Sequence, residues 1–79
     1  MNIKVLGPGC SRCHQLEQVV RDVVRELAIN ASVEEVKDMK KITAYPILMT
    51  PGLVINGTIK CSGRIPRPEE IKAWILEAK

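Results

Sequence analysis

Two cysteines three positions apart, in the run Gly9-Cys10-Ser11-Arg12-Cys13-His14, are the residues of this chain best suited to chemistry. A Cys-x-x-Cys pair on the first turn of a helix presents two thiols to the same side. One attacks a disulfide as its thiolate, and the other resolves the mixed disulfide that results. A cysteine at the start of a helix also meets unpaired backbone N–H groups and the positive end of the macrodipole, both of which favour thiolate over thiol. Arg12 adds a positive charge that tunes the pKa of Cys10 in the same direction. On this reading Cys10 is the nucleophile and Cys13, more buried, is the resolving thiol. The spacing fits other chemistry as well. Cys10-Ser-Arg-Cys13-His14 matches the attachment pattern of c-type haem, with His14 as one axial ligand and Met39 or Met49 as the other. Cys10, Cys13, His14 and Cys61 make four ligands for zinc, provided that Cys61 folds back onto the first pair.

The elements around the pair follow from periodicity. Ile3 to Leu6 is a short apolar run ended by Gly7-Pro8-Gly9, a strand entering a loop. From Ser11 the period changes: Leu16, Val20, Val23, Val24 and Leu27 recur at helical spacing, which predicts an amphipathic helix ending near Ala28-Ile29-Asn30. The cysteine pair therefore stands at a strand-loop-helix junction, the context a redox Cys-x-x-Cys requires. Ser32 to Lys37 reads as a second strand, and Asp38 as the N-cap of a short helix over Met39 to Ala44. Asn56-Gly57 between Leu53-Val54-Ile55 and Thr58-Ile59-Lys60-Cys61 is a two-residue hairpin signal. Pro68-Glu69-Glu70 opens a last helix whose apolar positions are Ile71, Trp74, Ile75 and Ala78.

Composition narrows the field. The 79 residues are expected to form a single domain over 1–79, with a core of Val, Ile and Leu, because the chain has one Trp, one Tyr and no Phe. So few aromatics leave no platform for stacking bases, and the net charge of +3 is dispersed rather than gathered on one face; nucleic-acid binding is not expected. No apolar run is long enough to span a membrane, and nothing in Met1-Asn2-Ile3-Lys4-Val5-Leu6 reads as a leader. Three cysteines, two of them adjacent in a motif, do not suit a secreted disulfide scaffold. The expected setting is the cytoplasm, which also weighs against covalent haem.

Gly7-x-Gly9-Cys10-x-x-Cys13-x-x-Leu16, then Thr50-Pro51 ahead of Leu53-Val54-Ile55-Asn56-Gly57, and the closing Glu69-Glu70-Ile71 helix resemble the small thioredoxin/glutaredoxin-like redox-active disulfide proteins of bacteria and archaea. The resemblance covers nearly the whole chain. It implies an α/β thioredoxin-like fold in the order β-α-β-α-β-β-α, a four-stranded mixed sheet with helices on both faces. It further implies that Pro51 is a cis-proline packed beside the cysteine pair. Thr50 would offer its backbone to an extended substrate segment, and Ser62-Gly63 would form the opposite wall of the groove. Two features depart from thioredoxins proper: no Trp precedes Cys10, and no Asp or Glu stands in the first strand.

The function expected is thiol–disulfide oxidoreduction, as a small protein disulfide reductase or electron carrier using the Cys10–Cys13 dithiol. The alternative is a thiol-dependent carrier of metal or arsenicals that uses the same cysteines. The expected partners are protein disulfides and a reductase or low-molecular-weight thiol; the chain is expected to be monomeric and to need no cofactor. Cys61 has two readings. A simple hairpin places it opposite Gly52 and beside Pro51, where it is either a third thiol near the pair or a small buried hydrophobe of the last strand.

Overall fold

The computed structural model describes residues 1–9, 11–46 and 49–78; Cys10, Ile47, Leu48 and Lys79 lie outside the described residues. The elements in chain order are β1 (Asn2–Leu6), α1 (Ser11–Leu27), β2 (Ser32–Val36), α2 (Met39–Thr43), β3 (Gly52–Ile55), β4 (Thr58–Ser62) and α3 (Pro68–Glu77). The β-α-β-α-β-β-α order is the one expected. α1 stops where Ala28 turns to a positive φ of 53°. α2 begins as Asp38 accepts the Lys40 N–H on Oδ1 at 2.9 Å, an N-cap that satisfies one orphan donor of the first turn. α3 starts with Pro68, and Glu69 and Glu70 stand in its first turn.

The four strands form one mixed sheet in the order β2-β1-β3-β4. β1 and β2 are parallel, with α1 as the crossover between them, whereas β1–β3 and β3–β4 are antiparallel. Strand alternation divides the apolar residues between two faces. Ile3, Val5, Leu53 and Ile55 point to one face and pack with Leu16, Val20 and Val23 of α1 and Ile71 and Ile75 of α3. Leu6, Val36 and Val54 point to the other, where Ile42 of α2 covers them. Each of these side chains, taken fully out of water, contributes about 1.5–3 kcal/mol.

The hairpin departs from the simple register. Ile55 pairs with Thr58 and Val54 with Ile59 as expected, but a bulge then opens between Leu53 and Val54, so that Leu53 pairs with Cys61 and Gly52 with Ser62. The extra residue is Lys60. Without it Cys61 would share the α2 face with Ile59; with it Ile59 packs beside Val54 and Cys61 turns to the α1/α3 core. The expectation that Cys61 faces Gly52 is corrected on this ground: an apolar side chain gains a buried site, and Lys60 stays half-exposed.

Candidate functional site at one end of the sheet

The C-terminal end of β1, the N-terminal end of β3 and the C-terminal end of β4 meet at one end of the sheet, since Leu6 pairs with Gly52 and Gly52 with Ser62. Gly7, Pro51 and Gly63 continue these strands side by side. The Gly7 N–H donates to the Val36 carbonyl at 2.9 Å, which extends the β1–β2 ladder by one bond. The Gly63 N–H donates to the Pro51 carbonyl at 2.9 Å. Four residues after Gly7, α1 begins at Ser11. Gly9 supplies the positive φ of 95° that turns the chain into the helix, with open space on the side where a Cβ would stand.

Cys13 lies on the first turn of α1 and is fully buried, at 0% exposure. Its sulfur and Cβ sit over Gly7, where a Cβ on that glycine would overlap them. Arg12 is exposed. The Thr50–Pro51 peptide is cis, as the resemblance implies; Pro51 is buried and Thr50 half-buried. Ser62 is exposed, and Gly63, at a φ of 77°, lies under the Met49 side chain. The described residues of the sequence-based set, Arg12, Cys13, Thr50, Pro51, Ser62 and Gly63, thus belong to the same end of the sheet. Cys10 falls outside the described residues.

The cysteine chemistry expected from spacing is corrected here. Among the described residues there is no disulfide and no pair of sulfurs in near-disulfide geometry, and Cys13 and Cys61 are both buried. A redox-active Cys10–Cys13 disulfide, and a reductase or electron carrier defined by that dithiol, are not supported by this geometry. The Cys13 sulfur itself lies inside the fold, in the gap left by Gly7. Cys61 is a core residue, and its Sγ lies 3.5 Å from the Arg64 carbonyl. Burial pushes its pKa up, only partly offset by Arg64. The alternative of a metal carrier built on the same cysteines is corrected as well. The ligating side chains that converge among the described residues are His14, Glu17 and Glu35, with no cysteine among them.

That second cluster is not legible in the sequence, where His14 reads only as an option for haem or zinc. His14 and Glu17 are one turn apart on α1. Strand alternation sends Glu35 to the α1 side of β2, the side of Val33. The Arg21 guanidinium holds Glu17 Oε2 at 2.8 Å and donates to the Val33 carbonyl at 3.3 Å. This pairing lowers the Glu17 pKa below the usual carboxylate range. The available signal was the i, i+3 pair His14/Glu17 beside an acidic residue on an inward strand position. Nothing in the sequence says that α1 packs over that position.

Among the described residues no helix is long and apolar enough to cross a membrane. Residues 1–76 match the model of a family described as a thioredoxin domain. The chain is 40% identical over 72 residues to a protein named thioredoxin from Methanothermobacter thermautotrophicus, covering 91% of this chain and 94% of that protein. It is 37% identical over 70 residues to a protein named thioredoxin from Methanocaldococcus jannaschii, covering 89% of this chain and 80% of that one.

Proposed function

We propose that the chain, which belongs to the thioredoxin family, carries out thiol–disulfide exchange on an extended segment of a protein partner docked at Thr50 and Pro51. The observation that carries this reading is the convergence of the first turn of α1, Gly7, Pro51 and Gly63 at one end of the sheet. A partner segment pairing with the Thr50 backbone in β fashion, flanked by Ser62 and Gly63, would lie across the start of α1. Cys10 is the attacking thiol of this site, Arg12 the charge that favours its thiolate, and Cys13 the buried thiol one turn on.

The exchange takes place at Cys10 alone and uses no internal disulfide. The Cys10 thiolate attacks one sulfur of the partner's disulfide; the S–S bond breaks, and the other sulfur leaves as a thiolate and takes up a proton. A low-molecular-weight thiol then displaces the partner's sulfur from Cys10, and a second equivalent regenerates the Cys10 thiol. Two thiols are oxidised to a disulfide as the partner's disulfide is reduced. A reductase can supply the same electrons. The setting is a reducing cytoplasm, and the working unit is one chain acting as a single domain.

The test is adduct formation with a peptide disulfide, followed by mass spectrometry of the reduced full-length chain. Wild type and Cys13→Ser are both expected to form a mixed disulfide mapped to Cys10, and Cys10→Ser to form none. An adduct that accumulates equally fast on Cys10→Ser would overturn the assignment.

A further inference from the structure

Three ligating side chains outside the thiol site meet between α1 and β2. His14 and Glu17 come from α1 and Glu35 from β2. One imidazole nitrogen and one carboxylate oxygen from each Glu all lie within 4.8 Å of one another. His14 Nδ1 is 3.7 Å from Glu35 Oε2. The Glu35 side chain is only 9% exposed, and its Oε1 is buried with no hydrogen-bond partner. Such an oxygen is rare in a folded protein, because it has given up its water and received no donor in exchange. Arg21, the guanidinium in this cluster, directs its donors to Glu17 Oε2 and the Val33 carbonyl. No described donor is thus directed at Glu35 Oε1, and the Glu35 carboxylate stands beside that of Glu17 and the His14 imidazole.

We propose that His14, Glu17 and Glu35 form a binding site for a divalent cation of the zinc class. One imidazole and two carboxylates are a donor set that zinc accepts, whereas calcium and magnesium favour oxygen throughout. Glu35 is the fixed ligand, anchored in the sheet, and its second oxygen gains the partner that the protein does not give it. Glu17 binds through the oxygen that Arg21 leaves open. His14, 55% exposed at its side chain, closes the site from the solvent side and leaves room for water to complete the coordination. Donor atoms around a tetrahedral zinc stand about 3.3–3.6 Å apart. The 4.8 Å limit seen here closes to that by rotation of the more exposed His14 and Glu17. The site contains no cysteine and stands independently of the exchange proposed at Cys10.

His14 is the only histidine in the chain, so its imidazole resonances report this site without overlap. The experiment is a titration of the reduced full-length chain with zinc chloride, followed by NMR of the imidazole and of the Glu carboxyl carbons. One equivalent is expected to move the His14 ring together with the Glu17 and Glu35 carboxyl signals. Loss of an outer-shell partner already costs a metal site about 10–100-fold in affinity. Glu35→Gln, which removes a direct ligand, is therefore expected to weaken binding at His14 by at least about tenfold. Glu17→Gln, at a more exposed position, is expected to act in the same direction and serves as the second variant should Glu35→Gln disturb the fold. Zinc that moves His14 with equal affinity in wild type and both variants would overturn the proposal. So would a His14 ring and carboxyl signals that stay still up to about 1 mM zinc, an affinity of only about 4 kcal/mol.

Discussion

A methyl group on Gly7 would fall on the Cys13 side chain, with the two Cβ atoms 2.9 Å apart and the sulfur closer still. Neither side has room to yield, since Gly7 is held by its bond to Val36 and Cys13 is fully buried on the first turn of α1. Gly7→Ala is expected to destabilise the chain by about 1–3 kcal/mol, the range for overpacking a filled site. Cys13→Ala on the same background should restore part of that loss by removing the sulfur. Urea unfolding of the two single variants and the double variant would show a coupling of about 0.5 kcal/mol or more; strictly additive losses would argue against the contact. Cys61 gives a second prediction at this scale. Its folded pKa is raised by burial, so the unfolded chain loses the Cys61 proton at lower pH than the folded chain does. Its contribution to stability is therefore fully present below the unfolded thiol pKa of about 8.5, and is lost as pH rises through the folded value. Between about pH 7 and pH 10 the urea midpoint of wild type should fall more steeply than that of Cys61→Ala. Parallel curves would show that Cys61 titrates as an exposed thiol does.

Each helix is fixed by its own device. α1 carries the Glu17–Arg21 pair at 2.8 Å, and Arg21 reaches on to the Val33 carbonyl of β2. Glu17 has a folded pKa below its unfolded one, so its stabilisation is present above the unfolded pKa of about 4.3 and disappears as pH falls through the folded value. Arg21→Ala is expected to cost a few tenths of a kcal/mol near neutrality, as exposed i, i+4 pairs do. It should also flatten the loss of stability below about pH 4.5, which thermal unfolding across the acid range would measure. α2 has only five residues and depends more on its start. Asp38→Ala removes the acceptor for the Lys40 N–H and is expected to cost about 1 kcal/mol. α3 adds Lys72 to Glu26 of α1 at 2.8 Å across the helix pair, and Arg64 to Glu70 at 2.8 Å. Both pairs lie at the surface, where they orient the helix more than they stabilise it.

At the scale of the whole molecule, two thin layers of aliphatic side chains carry the fold, one on each face of a four-stranded sheet. A chain of 79 residues has little reserve: small domains bury the smaller share of their surface, and total stability is about 5–15 kcal/mol. Ile75→Ala, in the middle of the α1/α3 layer, is expected to cost about 2–5 kcal/mol and to lower Tm by roughly 10 °C or more. Leu76→Ala, one position along and 53% exposed, should change stability by less than about 0.5 kcal/mol. The contrast between neighbouring residues tests the assignment of faces on α3. Equal effects would mean that the helix is rotated from the arrangement described.

What the sequence determined by itself is what depends on neighbours along the chain. Apolar spacing from Leu16 to Leu27 specified α1, Asp38 its small successor, and Asn56-Gly57 the hairpin, because each signal is complete within one turn of helix or one tight turn. The order of these elements, with the residues around Cys10 and Pro51, was enough to indicate the fold. Tertiary structure decided the rest. The Lys60 bulge chose which face receives Cys61, since one inserted residue reverses strand parity and only the packing on both faces makes that favourable. Packing against Gly7 decided where the Cys13 sulfur lies, a matter that Cys-x-x-Cys spacing leaves open. The parallel pairing of β1 with β2 laid α1 over Glu35, so that His14, Glu17 and Glu35, spread over 22 residues of chain, came to face one another. Spacing along the chain carries no record of that meeting, because it is made by the crossover and not by any local turn.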